Sequence, residues 1–340
     1  MTKKGPYEVK EIKTLAVGQQ IWGKFLILEC NSRKTKDGKE ITNLRIGDST
    51  GEVDVVVWES CNVSGKMESG ALIGLLGDLG TYNNRLQITA KRVKTLDEDP
   101  IPYLKAPLVD TSSLLSEFEE LITSISDPYL KELLERLFNP QMKDLFYKAP
   151  AARKIHHNYH GGLLEHTLTV ARLCNMAAQI YPDINRDLLI TGAILHDIGK
   201  IKEYYIKVTP EYTTAGRMMG HIVLGTEILS AEIVKMRLDN ISFPEELEMM
   251  LKHMVLSHHG NLEYGSPVIP LFPEALLLHV ADNLDAKMFV FFDKISEDAE
   301  GGELFTPYDA FFGQQYFKYR YQYENDAESQ NNQPATLDEE

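Results

Sequence analysis

Apolar and polar positions follow one rhythm near the amino terminus and another after it. Up to about residue 96 the apolar residues sit in short runs rich in β-branched and aromatic side chains: IWGKFLILEC, ITNLRIGDST, EVDVVVWES, ALIGLLGDLGTY and RLQITAKRV. Turn residues separate them, with Asp37-Gly38, Ser49-Thr50-Gly51 and Asn83-Asn84 as the punctuation. Five short strands at this spacing predict a small closed barrel. Their alternation is imperfect, as short strands with bulges would make it.

Beyond the strands, DEDPIPYLKAP is a linker broken by prolines, and helical periodicity then takes over. SSLLSEFEELITSI and DPYLKELLERLF predict two amphipathic helices, the second capped by Asp127 with Pro128 at its first position. Their polar faces are acidic, so their apolar stripes should pack on the following domain and not on a membrane. GGLLEHTLTVARLCNMAAQI carries a stripe of Leu164, Leu168, Ala171 and Met176, and Leu188, Leu189 and Ala193 mark the next helix. HIVLGTEILSAEIVKM, PEELEMMLKHMVLSHH and PEALLLHVADNLDAKMFVFF continue the helical pattern. The expected organisation is a barrel over 1–96, a linker with helices over 97–150, an all-α domain over 151–323 and a tail over 324–340. There is no internal repeat.

Composition fits an ordinary multi-domain globular protein, with 43% hydrophobic and 25% charged residues among 340. No run approaches the roughly 18 apolar residues of a membrane span, and the Lys-Lys start leads into polar sequence, so a cytoplasmic location is expected. Cys30, Cys61 and Cys174 lack paired spacing and read as reduced thiols without chemistry.

A net charge of −15 argues at first against a polyanionic partner. The distribution changes that reading. Residues 1–96 carry 15 Lys and Arg against 11 Asp and Glu, a balance of +4 that leaves −19 for the rest. Part of the acidity is the tail ENDAESQNNQPATLDEE, which should be disordered, and part lies on solvated positions such as Glu117, Glu119 and Glu120.

The helical half strings together His166, His196-Asp197, His221, His258-His259 and Asp282, several at or near predicted helix ends. Imidazole and carboxylate hold divalent transition metals, and the absence of cysteine ligands argues against a structural zinc. Neighbours on a helix diverge by about 100°. For His196 and Asp197 to serve one centre the helix must be ending, with Gly199 as its stop, or the carboxylate must bridge. Gly161 and Gly162 allow a tight turn before the His166 helix. Taken singly, His221 or His279 would be a core or capping histidine, and Asp282 could pair with Lys287. Asp197 is the residue expected to bridge two ions or orient a water, Lys200 to sit by a phosphate, and ARKIHHNYHGG to offer Arg153, Lys154, His156, His157 and His160 to phosphate oxygens. Ions held there would lower the pKa of a water and offset phosphoryl charge.

The order of these residues resembles the extended form of the HD superfamily of metal-dependent phosphohydrolases. HNYHGGLLEHT, LHDIGK, SHHGNLEYGSPVIP and HVADNLDAK look like the YhaM family of bacterial exoribonucleases over nearly the whole chain. That resemblance implies a 3′–5′ exonuclease supported by one or two divalent ions, manganese ahead of iron, zinc or cobalt. It also implies a function for His160.

A five-strand barrel of the OB type is a common platform for single strands, through a basic groove and base stacking. The candidates are Trp22, Phe25, Trp58 and Tyr82 for stacking, with Lys24, Arg33, Lys34, Lys36, Arg45, Arg85 and Lys91 for phosphates. Phe25 and one tryptophan could instead fill the barrel. The expected partner is single-stranded RNA, then single-stranded DNA, with no membrane; the tyrosine-rich FFGQQYFKYRYQY leaves a homo-oligomer open, beside packing or a stacking surface. Two rivals are a nucleotide or cyclic-nucleotide phosphohydrolase regulated by the barrel, and a non-catalytic strand-binding replication factor. The filled ligand series opposes the second.

Overall fold

The computed structural model describes residues 5–35, 38–82, 85–104, 111–151, 161–205, 210–298 and 302–319. The HNYH segment with His160 and the acidic tail lie outside them. Residues 1–290 form one unit and residues 291–340 a second.

The five expected strands are present as β1 (Gln20–Lys34), β2 (Glu40–Asp48), β3 (Gly51–Trp58), β5 (Leu72–Tyr82) and β6 (Arg85–Thr95), with a three-residue β4 (Asn62–Ser64) added. Their order is β3-β2-β1-β5-β6-β4, and β3 also pairs with β6, which closes the barrel. A bulge between Ile27 and Glu29 lets β1 pair with β5 along its first half and with β2 along its second. The interior is Ile21, Phe25, Ile27, Leu44, Ile46, Val55, Ile73, Leu75, Ile88 and Val93. A short helix, α1 (Val9–Lys13), was not legible in the pattern; it buries Val9 and Ile12 completely in the same core, with Asp48 accepting from the Val9 amide at 2.8 Å.

The second core gathers the helices α2 (Thr111–Thr123), α3 (Pro128–Leu137), α4 (Pro140–Lys148), α5 (Gly162–Ile180), α6 (Arg186–Leu195), α7 (Lys200–Glu203), α8 (Thr214–Leu238), α9 (Glu245–Ser257) and α10 (Pro273–Glu297). A two-stranded ribbon, β7 (Tyr204–Tyr205) with β8 (Glu211–Tyr212), follows α7. Asp127 caps α3 as expected, accepting from Tyr129 and Leu130. Leu114, Phe118, Leu130, Leu133 and Leu134 share one core with Leu164, Leu168 and Leu189, and Asp187 of α6 accepts from the Ser126 and Asp127 amides. The two linker helices therefore belong to the helical core. Met176 departs from its expected stripe: it is 60% exposed, because five residues after Ala171 it stands about 140° round the helix, while Cys174 and Ala178 continue the core face.

In the carboxy-terminal unit Tyr316 is buried and meets Phe291 edge-on at 4.8 Å between ring centroids, while Lys318 pairs with Asp298 at 2.5 Å. Phe311 and Tyr319 are exposed.

Candidate metal centre and nucleic-acid face

Each predicted ligand sits where a helix ends or bends, apart from His166 and Asp282, which project from within α5 and α10. His196 is the C-cap of α6 and His258 that of α9. At both ends the ring Nδ1 lies 2.7 Å from the carbonyl three residues earlier, Ala193 and Val255. A carbonyl only accepts, so Nδ1 carries the proton and Nε2 presents a bare lone pair inward. His221 follows Gly220, whose φ of 73° breaks α8 and frees the ring from the register of the preceding turn. Gly161, with φ 85°, starts α5 from a left-handed turn, as the paired glycines suggested.

Gly199 has another reason than the expected helix stop. Its φ of −64° is ordinary, but a Cβ there would stand 1.9 Å from the His221 carbonyl oxygen and 2.6 Å from the Gly225 nitrogen. The glycine lets the chain after His196-Asp197 press against α8, which brings His221 to the same centre.

The seven side chains form two groups that meet at Asp197. On one side, Asp197 Oδ2 lies 3.5 Å from His166 Nε2 and 3.3 Å from His196 Nε2, and Asp282 Oδ1 lies 3.2 Å from His166 Nε2. On the other, Asp197 Oδ1 lies 3.4 Å from His221 Nε2 and 3.6 Å from His258 Nε2, and His259 meets His258 edge-on with ring centroids 4.3 Å apart. His221, His258 and His259 have ligand atoms within 4.8 Å of one another, as do His166, His196 and Asp197. Asp197 Oδ1, His221 Nε2 and His258 Nε2 are buried without a hydrogen-bond partner. Unpaired buried acceptors converging on one point are costly, and a cation is what they fit. The donor set suits a divalent metal.

The electrostatics agree. Burial pushes His166 toward neutrality, but the carboxylates of Asp197, Asp282 and Asp285 outweigh it and hold its pKa well above the ordinary histidine value. Burial works against the charge on Asp197, yet Lys200 and His196 keep its carboxyl well below its usual range. Asp282 is lowered likewise, against burial, through His166 and His196. His258 is pushed well below the ordinary value by burial, with His259 and His196 beside it, and so stays a neutral donor. His166 Nε2 and His196 Nε2 face each other at 3.2 Å, a contact that needs a proton or a cation between two lone pairs.

Lys200 is buried with its Nζ 2.5 Å from Asp197 Oδ2, so its partner is that carboxylate. Asp282 pairs with His166 and not with Lys287. His279 is a supporting group: its Nδ1 lies 2.9 Å from the His258 carbonyl oxygen. Two further residues were not singled out from the sequence. Asp285 Oδ2 lies 2.6 Å from His166 Nδ1, and Glu203 Oε1 lies 3.1 Å from the His221 amide and 3.4 Å from its Nδ1. The i, i+3 repeat of Asp282 and Asp285 on one helix face was the signal for the first. Glu203 had none, since its role depends on how α7 meets α8.

The HD domain family matches residues 163–287, and an OB-fold nucleic acid binding domain family matches residues 29–96. The 3′-5′ exoribonuclease YhaM of Geobacillus sp. (strain WCH70) is 32% identical over 303 residues, covering 87% of this chain and 90% of the relative. The chain belongs to the YhaM family. The YhaM of Bacillus velezensis is 30% identical over 299 residues, covering 86% of this chain and 93% of its own length. With its HD domain, this YhaM-family chain depends on a divalent metal.

In the barrel of this YhaM-family member, Lys36 lies outside the described residues and the other ten nucleic-acid candidates do not share one surface. Phe25 is fully buried in the interior and is withdrawn as a contact residue, because odd positions of the first half of β1 point inward. Both tryptophans stay outside, each 42% exposed, so neither fills the barrel. Residues directly opposite on paired strands point to the same side. Arg33, Ile41 and Trp58 thus form one outer row across β1, β2 and β3, with Arg45 two residues along β2 from the Ile41–Asn43 register. Tyr82 pairs with Arg85 at the end of the β5–β6 hairpin, and Lys34 extends the β1 edge. Trp22 and Lys24 lie on the other half of β1, opposite Leu76 and Gly74 of β5. Lys24 is engaged by Glu98 at 2.7 Å and Arg45 by Glu52 at 2.5 Å, whereas Arg33, Lys34 and Arg85 are exposed. Among the described residues no helix is long and apolar enough to cross a membrane.

Proposed function

We propose that this chain is a divalent-metal-dependent 3′–5′ exonuclease that releases nucleoside monophosphates from single-stranded RNA, with single-stranded DNA second, in the cytoplasm. One observation carries the chemistry: the two oxygens of Asp197 face two separate sets of imidazoles, and on the Oδ1 side that oxygen, His221 Nε2 and His258 Nε2 are all buried without a hydrogen-bond partner. His166, His196, Asp197 and Asp282 would hold one ion and His221, His258, His259 and Asp197 another, with manganese the favoured metal for this mixed nitrogen and oxygen set. When bound, the ions activate a water for in-line attack and offset charge on the phosphoryl group. The protein's part is to hold the lone pairs inward through Nδ1 bonds and to keep Asp197 ionised and oriented through Lys200. His160, in the segment before α5, is proposed to hold the scissile phosphate or terminal nucleotide.

The names of the two relatives support RNA and the 3′–5′ direction. The OB platform binds through its strand 2–3 face and the loops flanking it, so Arg33, Lys34, Arg45, Trp58, Tyr82 and Arg85 are the proposed capture residues. The partition is barrel 1–96, connecting helices 97–150, HD domain 151–323 and acidic tail 324–340. The test is degradation of end-labelled RNA and DNA with manganese by the full chain and by Asp197→Ala. Stepwise shortening from the 3′ end, abolished in the variant while RNA binding persists, is expected. Undiminished hydrolysis by Asp197→Ala would refute the centre, and turnover of cyclic nucleotides in place of RNA would move the reading to the regulated phosphohydrolase.

A further inference from the structure

The barrel carries a second outer face whose aromatic and cationic residues sit apart from the strand 2–3 surface. Trp22 of β1 is opposite Leu76 of β5, and Leu76 is opposite Arg92 of β6. Lys24, Gly74 and Lys94 form the adjacent row, and β4 places Asn62 and Ser64 beside Arg92 and Lys94. By the register rule these side chains leave the barrel on one side. Trp22, Arg92 and Lys94 are exposed, and Gly74 puts no side chain between Lys24 and Lys94. Lys24 is held by Glu98 and Lys91 by Asp78, but among the described residues no carboxylate engages Arg92 or Lys94.

One strand joins the two faces. β6 runs from Arg85, at the β5–β6 hairpin, past Gln87 and Thr89, where it borders Asp54 and Val56 of β3. A bulge opposite Leu76 and Gly77 then turns Arg92 and Lys94 toward β5 and β4. From Arg85 to Lys94 the strand rises about 30 Å at roughly 3.3 Å per residue. The outward cations along it are Arg85, Lys91, Arg92 and Lys94, with an exposed indole at the far end. A flat aromatic on the same face as a guanidinium and an ammonium group that no described carboxylate engages is chemistry for a base and its phosphates.

We infer that a single strand held on the strand 2–3 face continues along β6 and stacks a second time, on Trp22, with Arg92 and Lys94 on its phosphates. This rests on the barrel being the RNA platform. It predicts a length threshold: short oligonucleotides fill the first face only, and longer ones reach the second.

The chain has only two tryptophans, Trp22 and Trp58, one for each face, so each can be read alone. Trp58→Phe and Trp22→Phe variants of the full-length protein with its metal are titrated with oligo(U) of about 6 and about 20 nucleotides, bracketing the site sizes of one barrel. Phosphorothioate linkages prevent hydrolysis. Trp58 emission should be quenched by both lengths and Trp22 emission by the longer alone. Arg92→Ala combined with Lys94→Ala should flatten the salt dependence of long-strand binding by a slope of about 1.4, for two phosphates on single-stranded nucleic acid. Unaltered quenching of Trp58 in that variant confirms its fold. Trp22 emission that does not respond to a long strand that quenches Trp58, or an unchanged salt slope, overturns the second face. Trp22 emission that follows protein concentration in place of RNA assigns this face to a second copy and overturns it equally. RNA that binds and quenches neither tryptophan refutes the platform itself, a distinguishable failure.

Discussion

Asp285→Ala removes the group that fixes His166. The two side chains are buried, with 2.6 Å between Asp285 Oδ2 and His166 Nδ1, and the carboxylate determines both the tautomer and the direction of Nε2. Losing it leaves a buried N–H unsatisfied, which costs on the order of 1–3 kcal/mol. It also releases a ring whose Nε2 must stay close to Asp197 and Asp282. Partners of this kind are worth about 10–100-fold in metal affinity, equivalent to roughly 1.4–2.7 kcal/mol. Asp285→Asn keeps an acceptor oxygen and loses the charge, so its affinity should fall between the two. The assay is calorimetric titration of the chelator-treated full-length chain with Mn²⁺, with circular dichroism melts to establish that each variant folds. Folded variants that both bind Mn²⁺ with wild-type affinity would show that His166 needs no carboxylate behind it, and the reasoning from the buried contact would fail.

Gly199→Ala should destabilise by about 1–3 kcal/mol or more, since its Cβ meets backbone atoms of α8 and not a yielding side chain; a thermal melt unchanged from wild type would contradict the packing argument. Replacing His221 or His258 by Ala should lower bound Mn²⁺ from about two equivalents toward one, measured by elemental analysis after dialysis; wild-type protein saturating at one equivalent would restrict the centre to His166, His196, Asp197 and Asp282. His166 has a raised folded pKa, so in metal-free protein its contribution to stability is fully present below the unfolded value of about 6.5 and is lost as pH rises through the folded value. Metal must displace that proton, so loading at neutral pH should release it and affinity should rise with pH; heats of binding independent of buffer ionisation enthalpy would exclude this.

The sequence by itself determined the division into strands and helices, the capped start of α3, and the residues able to ligate a metal. These are local properties: a period of two or 3.6, a capping side chain, a choice of imidazole and carboxylate. The angle between neighbours left a helix end or a bridging carboxylate at His196-Asp197, and His196 is the C-cap of α6. The helix α1 escaped because five residues are too few to show a period, and it is held by Val9 and Ile12 entering the barrel. Only the tertiary structure decided that Asp197 divides its two oxygens between two groups of histidines, that Asp285 and Glu203 stand behind His166 and His221, and that Gly199 serves close approach and not a helix stop. It alone put Phe25 inside and separated Trp22 from Trp58, because a β1 that bulges after Ile27 changes partners and outer face midway. Composition fixes which side chains can bind a metal or a strand. Which of them meet depends on contacts between residues far apart in the chain, and those arise when helices and strands pack.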